Sequence, residues 1–129
     1  MKNTLLFFTL VMFSISLRAQ IDIPANVSAA LQKGDATALA ACFLPSVELS
    51  INGNATTVSK EEAQVLLTAF FKANAVSGYN SKHQGSSKLD DQFRVGELMT
   101  ASGPFRVTFF VKKQDGASGI RQIKIEKSN

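Results

Sequence analysis

The chain has 129 residues, with 14 basic and 10 acidic side chains, one cysteine, one histidine and no tryptophan. That length gives room for one hydrophobic core rather than two domains. A lone cysteine excludes an intramolecular disulfide, one histidine without a ligand cluster at the usual spacing argues against a metal site, and basic residues scattered among strands and turns lack the one-faced clustering of a nucleic-acid binder. The reading therefore includes no metal, no other cofactor and no nucleic acid.

Met1-Lys2-Asn3-Thr4 carries one positive side chain, and Leu5 to Leu17 follows without any charge, rich in Leu and Phe, before Arg18-Ala19-Gln20. A positive start, an apolar run and a small residue at its end are what export machinery and signal peptidase read. The sequence predicts a signal peptide over residues 1–19 and a single mature domain over residues 20–129, periplasmic or extracellular. The run falls short of the roughly 20 apolar residues that a membrane-crossing helix needs, so no stable membrane span is expected after cleavage. No cysteine follows it, which excludes a lipoprotein cut. Loss of Lys2 and Arg18 leaves 12 basic against 10 acidic side chains, a net charge of about +2.

In the mature chain, Ile21 to Lys33 is predicted as a helix, with Pro24 in its first turn, Val27, Ala30 and Leu31 on one side and Gly34 as C-cap. Asp35 caps a second short helix whose Leu39, Cys42 and Phe43 share a face, so that Cys42 belongs to the core, and Pro45 stops it. Ser46 to Ile51 alternates Val47, Leu49 and Ile51 with polar neighbours, the pattern of a half-buried strand. Asn52-Gly53-Asn54 turns the chain into a brief extended piece, Thr56 to Val58. Ser59 then caps a long helix with an apolar stripe of Ala63, Leu66, Leu67, Phe70 and Phe71, fading between Asn74 and Gly78. Four strands follow, Tyr79 to Ser86, Gln92 to Ala101, Phe105 to Lys113 and Ile120 to Glu126. The short turn-rich breaks between them predict an antiparallel meander.

This order predicts an α+β domain: a bent antiparallel sheet wrapped around a long helix, plus two short N-terminal helices; a cone of this kind often leaves a cavity where helix and concave face part. It resembles the nuclear-transport-factor-2-like (cystatin-like cone) superfamily. Gly34-Asp35-Ala36 through Leu39-Ala40, Val47 to Ile51, Lys82 to Lys88, Gly103 to Val107 and Ile125-Glu126-Lys127 are similar, more closely, to an uncharacterised family of exported bacterial proteins, domain of unknown function 4783. The resemblance implies fold and export and carries over no catalytic residue. The wider superfamily includes isomerases, dehydratases, carriers and interaction modules, among which fold does not choose.

His83 is the most suggestive single residue. A regular strand places Tyr79, Ser81 and His83 on one face, where a phenol and an imidazole can bind a carbonyl or relay a proton. A histidine simply hydrogen-bonded within the sheet is the stronger reading, since spacing places no carboxylate beside it. Glu97, in phase with Phe93, Val95 and Met99, is either a pocket base or the rim of its face. Phe70, Phe71, Phe105, Val107 and Phe109 are expected inside the cone, as pocket walls with Tyr79 and His83 around a small apolar ligand or peptide, or equally as solid core. Phe110 projects from the opposite row of its strand, and Leu98 on the preceding strand is expected beside it as an apolar patch for a homodimer.

These readings place an exported, non-catalytic binding or interaction domain first. A small isomerase or lyase using Tyr79, His83 or Glu97 in a cone pocket and a structural homodimer module are the alternatives. Export through the predicted signal peptide has a direct check: intact-mass analysis of the exported protein is expected to show a chain beginning at Gln20, and a mass retaining Met1 to Ala19 counts against this route.

Overall fold

Local chemistry opens and closes each helix of the computed structural model, which describes residues 22–86, 92–114 and 116–129. The expected signal peptide, its cleavage site and the break at Lys88-Leu89-Asp90-Asp91 lie outside those residues. The Asp22 carboxylate accepts the Ala25 amide at 3.2 Å and Pro24 sits in the first turn, opening α1 (Ile23–Lys33). Gly34 ends it in the left-handed conformation, with φ of 63°. The Asp35 carboxylate accepts the Ala38 amide at 3.1 Å to start α2 (Ala36–Ala40). Ser59 serves α3 (Lys60–Ala73) in the same way, its hydroxyl accepting the Glu62 amide at 3.2 Å.

The second helix is shorter than the spacing of Leu39, Cys42 and Phe43 suggests. The chain becomes extended at Phe43, and Pro45 lies inside β1 (Phe43–Ile51) instead of stopping a helix. Pro45 is exposed and falls where the ladder of β1 with its neighbour slips, between Phe43 and Glu48, a position at which a missing amide costs little. Cys42 is buried at this corner, its thiol 3.6 Å from the Ala38 carbonyl, and burial pushes its pKa up while nearby Lys60 pulls it partly back.

The remaining strands are β2 (Asn54–Ser59), β3 (Val76–Ser86), β4 (Gln92–Thr100), β5 (Gly103–Gln114) and β6 (Ala117–Lys127). They form a six-stranded sheet in the order β2-β1-β6-β5-β4-β3. The predicted meander β3 to β6 is antiparallel throughout, whereas β1 lies parallel to β6. β3 begins at Val76, where the sequence suggested a fading helix. Asn52 and Gly53 both have positive φ, 50° and 88°, as a two-residue hairpin between β1 and β2 requires. Asn52 also ties this hairpin to β6, its amide donating to the Ile125 carbonyl at 2.8 Å and its side-chain oxygen accepting the Lys127 amide at 3.1 Å.

Inside the curved sheet, α3 buries Ala63, Leu67, Phe70 and Phe71, while Leu66 is 38% exposed and lies outside the stripe. Facing them are Phe105, Val107, Phe109 and Val111 of β5 and Ile120, Ile123 and Ile125 of β6. The Phe70 ring meets the Phe105 ring edge-on at 5.2 Å and the Phe71 ring at 5.7 Å.

The facing of β4 corrects the expectation for Leu98. Its inward row is Gly96, Leu98 and Thr100, all buried, and Leu98 has no exposed surface to offer an interface. The more apolar row, Phe93, Val95 and Met99, points outward. The inner row reads as weakly apolar because Gly96 contributes space rather than a side chain, and Tyr79 from β3 fills that space. A Cβ at position 96 would collide with the Tyr79 ring and hydroxyl. Gly96→Ala is expected to destabilise the domain by about 1–3 kcal/mol through overpacking, read as a lower urea midpoint at unchanged m-value; an unchanged midpoint would show that Tyr79 can move aside.

Candidate functional site

The pairing of β3 with β4 decides which candidate residues meet. Ser81 stands opposite Gly96 and His83 opposite Val95, so Lys82 is an extra residue in β3. A bulge of this kind breaks the alternation of faces. Tyr79, ahead of it, points into the cone and is 8% exposed. His83, beyond it, lies exposed on the outer face of the sheet. The shared face expected for Tyr79 and His83 is therefore not formed, and nothing in the alternation of this segment marks the extra residue.

On the outer face, His83 lines a groove of about 510 Å³ with Lys82, Val95, Glu97, Arg106, Thr108, Ser128 and Asn129. Here the structure does bring two sequence candidates together, His83 and Glu97. Glu97 stands on the outward row of β4, at the rim, where its carboxylate meets the Lys82 ammonium at 3.4 Å. The register sets Arg106 between Glu97 and Glu126 on the neighbouring strands, and Glu126 meets the Lys124 ammonium at 3.2 Å. Charges thus alternate across the sheet. Exposed pairs of this kind each contribute at most about 1 kcal/mol to stability, so their effect is on what the face attracts more than on the fold.

Beside the groove, Phe93 is 36% exposed, its ring lies over Gly85, and it sits 6.1 Å from the ring of half-buried Phe110. Phe110 faces outward as expected from its strand row. Its apolar neighbour across the ladder is Phe93, not Leu98.

On the concave face, Phe70, Phe71, Phe105, Val107 and Phe109 are all buried, and the contacts between the Phe70, Phe71 and Phe105 rings place them within the packed core. Tyr79 differs from them. Among the described residues its hydroxyl is the buried side-chain polar atom with no hydrogen-bond partner. Burial pushes its pKa up to about 12, against the opposing pull of the Arg94 charge. Arg94 escaped notice in the sequence because it looks like one polar residue between Phe93 and Val95. Among the described residues no hydrogen bond joins His83 to Tyr79 or Glu97, so the groove presents the imidazole, the Lys82–Glu97 ion pair and the Arg106 guanidinium side by side.

A family model described as domain of unknown function (DUF4783) matches residues 24–126. A DUF4783 family protein from Bacteroides ovatus ATCC 8483 is 38% identical in solved structure, with a TM-score of 0.78 over 82% of this chain and 96% of that one. A second, from Bacteroides uniformis ATCC 8492, is 33% identical with a TM-score of 0.78 over 84% of this chain and 99% of that one. A cystatin-like domain of unknown function from Nostoc punctiforme, 11% identical with a TM-score of 0.66 over 83% of this chain and 74% of that one, shares the fold alone. No curated protein matches the chain. The nuclear-transport-factor-2-like cone expected from the element order is the fold found.

Tyr79 is the sole tyrosine and there is no tryptophan, so absorbance at the phenolate band reports this residue alone. The folded phenol keeps its proton after the unfolded chain has lost its own near pH 10. Stability from this group is therefore complete below that pH and is lost as the pH rises to about 12. The expected loss is roughly 2–3 kcal/mol, and a native titration midpoint near 10 would mean that the hydroxyl is reached by solvent.

Proposed function

Because the chain belongs to the DUF4783 family of domains of unknown function, we propose its role from its own surfaces: an exported, non-catalytic interaction domain that works through the outer face of its sheet. The observation that carries this reading is the exposed Phe93 and half-buried Phe110 pair set beside the mixed-charge groove of Lys82, His83, Glu97 and Arg106. Two aromatic rings supply apolar area where a polar strand face ordinarily has none, and the alternating charges beside them fix orientation. Export is supported by the charged start, apolar run and small residue of the first 19 positions.

A second copy of the chain is the simplest occupant of this face. Rows in which Lys82, Glu97, Arg106, Glu126 and Lys124 alternate in sign can meet themselves across a two-fold axis, acid against base. For the isomerase or lyase alternative, which uses Tyr79, His83 or Glu97, the bulge leaves Tyr79 inside the cone and His83 outside it, so these two do not act on one face.

Sedimentation of the exported protein at micromolar concentration is expected to show a dimer, and Phe110→Asp is expected to shift it to monomer with an unchanged circular dichroism spectrum. A monomeric parent, or a dimer that survives Phe110→Asp, rules out self-association through this face.

A further inference from the structure

A buried hydroxyl without a partner calls for an explanation, since leaving such a group unsatisfied is costly. Tyr79 stands opposite Leu98 in the ladder, yet its hydroxyl lies over Gly96, two residues along β4. The next residue on that face, continuing in the same direction, is Arg94. Arg94 stands opposite Gln84 on β3 and Phe109 on β5, and with Gln84, Gly85 and Gln92 it lines a space of about 330 Å³ at the end of the ribbon. Its guanidinium donates to the Phe93 carbonyl at 3.1 Å and makes a long contact to the Gln92 side-chain oxygen at 3.5 Å. The ion pairs among the described residues, Lys82 with Glu97 and Lys124 with Glu126, do not include it.

We infer that the concave end of β3 and β4 is a binding site for a small carboxylate-bearing molecule, with Arg94 gripping the carboxylate and the Tyr79 hydroxyl donating a hydrogen bond to it. A carboxylate fits this set better than a neutral carbonyl. It balances the guanidinium charge, its two oxygens match the planar fork of N–H groups, and it accepts from the phenol at the same time. The side-chain amides of Gln84 and Gln92 line the same space as Arg94 and add donors. A small acid fits the space of about 330 Å³. This site lies on the opposite face from the Phe93–Phe110 patch and stands or falls separately from it.

The test uses the exported protein and the emission of its single tyrosine, with hexanoate as probe and 1-hexanol as the same chain without the charge. Hexanoate is expected to change Tyr79 emission saturably in the millimolar range, hexanol to act at least about tenfold more weakly, and Arg94→Gln to abolish the hexanoate response while leaving the circular dichroism intact. Phe110→Asp should leave the response unchanged. Absence of a saturable response to hexanoate, an equal response to hexanol, or a full response in folded Arg94→Gln overturns the proposal. Should Arg94→Gln fail to fold, the comparison of acid with alcohol on the parent protein decides alone.

Discussion

A sheet of six strands can enclose a single helix only if it bends, and the bend here comes from extra residues in the ladder. Register slips occur at the start of β1, twice in β3 and opposite Val111 in β6. Each adds twist and also changes which side chains face inward. The slip at Lys82 matters most for chemistry. It leaves Tyr79 inside the cone and delivers His83 to the outer face, so one inserted residue divides what a regular strand would have kept as a pair. The same slip sets Lys82 beside Glu97 and builds the outer groove. Sheet curvature and site composition are in this sense one constraint, because a strand that is bulged to bend cannot keep strict alternation.

Much of the fold was legible because its signals are local. Asp35 and Ser59 each cap the helix that follows them, Gly34 takes the positive φ that its position requires, and Asn52-Gly53 forms the hairpin that such a dipeptide favours. Phe105, Val107, Phe109 and Val111 face inward as their spacing indicates. What was not legible depends on tertiary pairing. The boundary of α2 is set by Phe43 joining β6 opposite Ile120, so a short apolar stretch that could continue a helix is drawn into the sheet. The inward facing of Leu98 follows from Tyr79 occupying the space above Gly96, which no reading of β4 alone contains. The candidate site divides along the same line. His83 and Glu97, legible as candidates from their residue types, line one groove, whereas Arg94 and the Phe93 partner of Phe110 emerge only from the register.

Two glycines make the ribbon of β3 and β4 work on both faces. Gly96 gives its inner surface to the Tyr79 ring, and Gly85 gives its outer surface to the Phe93 ring. In each case an aromatic side chain from the neighbouring strand covers backbone that would otherwise be bare, the arrangement known to stabilise glycine in strands. Glycine usually weakens a strand. Here its lack of a side chain is what allows a large ring to lie flat across the sheet. The consequence for function is positional, since Tyr79 is held with its hydroxyl aimed along β4 and Phe93 is held where Phe110 can meet it.

The location of this ribbon gives the division further meaning. β3 is an edge strand, paired on one side with β4 and covered on its inner face by α1, so it lacks the two-sided pairing that fixes β5 and β6. Stability in such a strand must come from side chains, and the two ring-over-glycine contacts supply it. A phenol left without a partner works against that requirement. An interior built for stability alone would be served better by phenylalanine at position 79, since the ring would keep its packing over Gly96 and no polar atom would be buried unpaired. The presence of the hydroxyl, directed along β4 toward the end where Arg94, Gln84 and Gln92 gather, is what a binding requirement explains and a packing requirement does not.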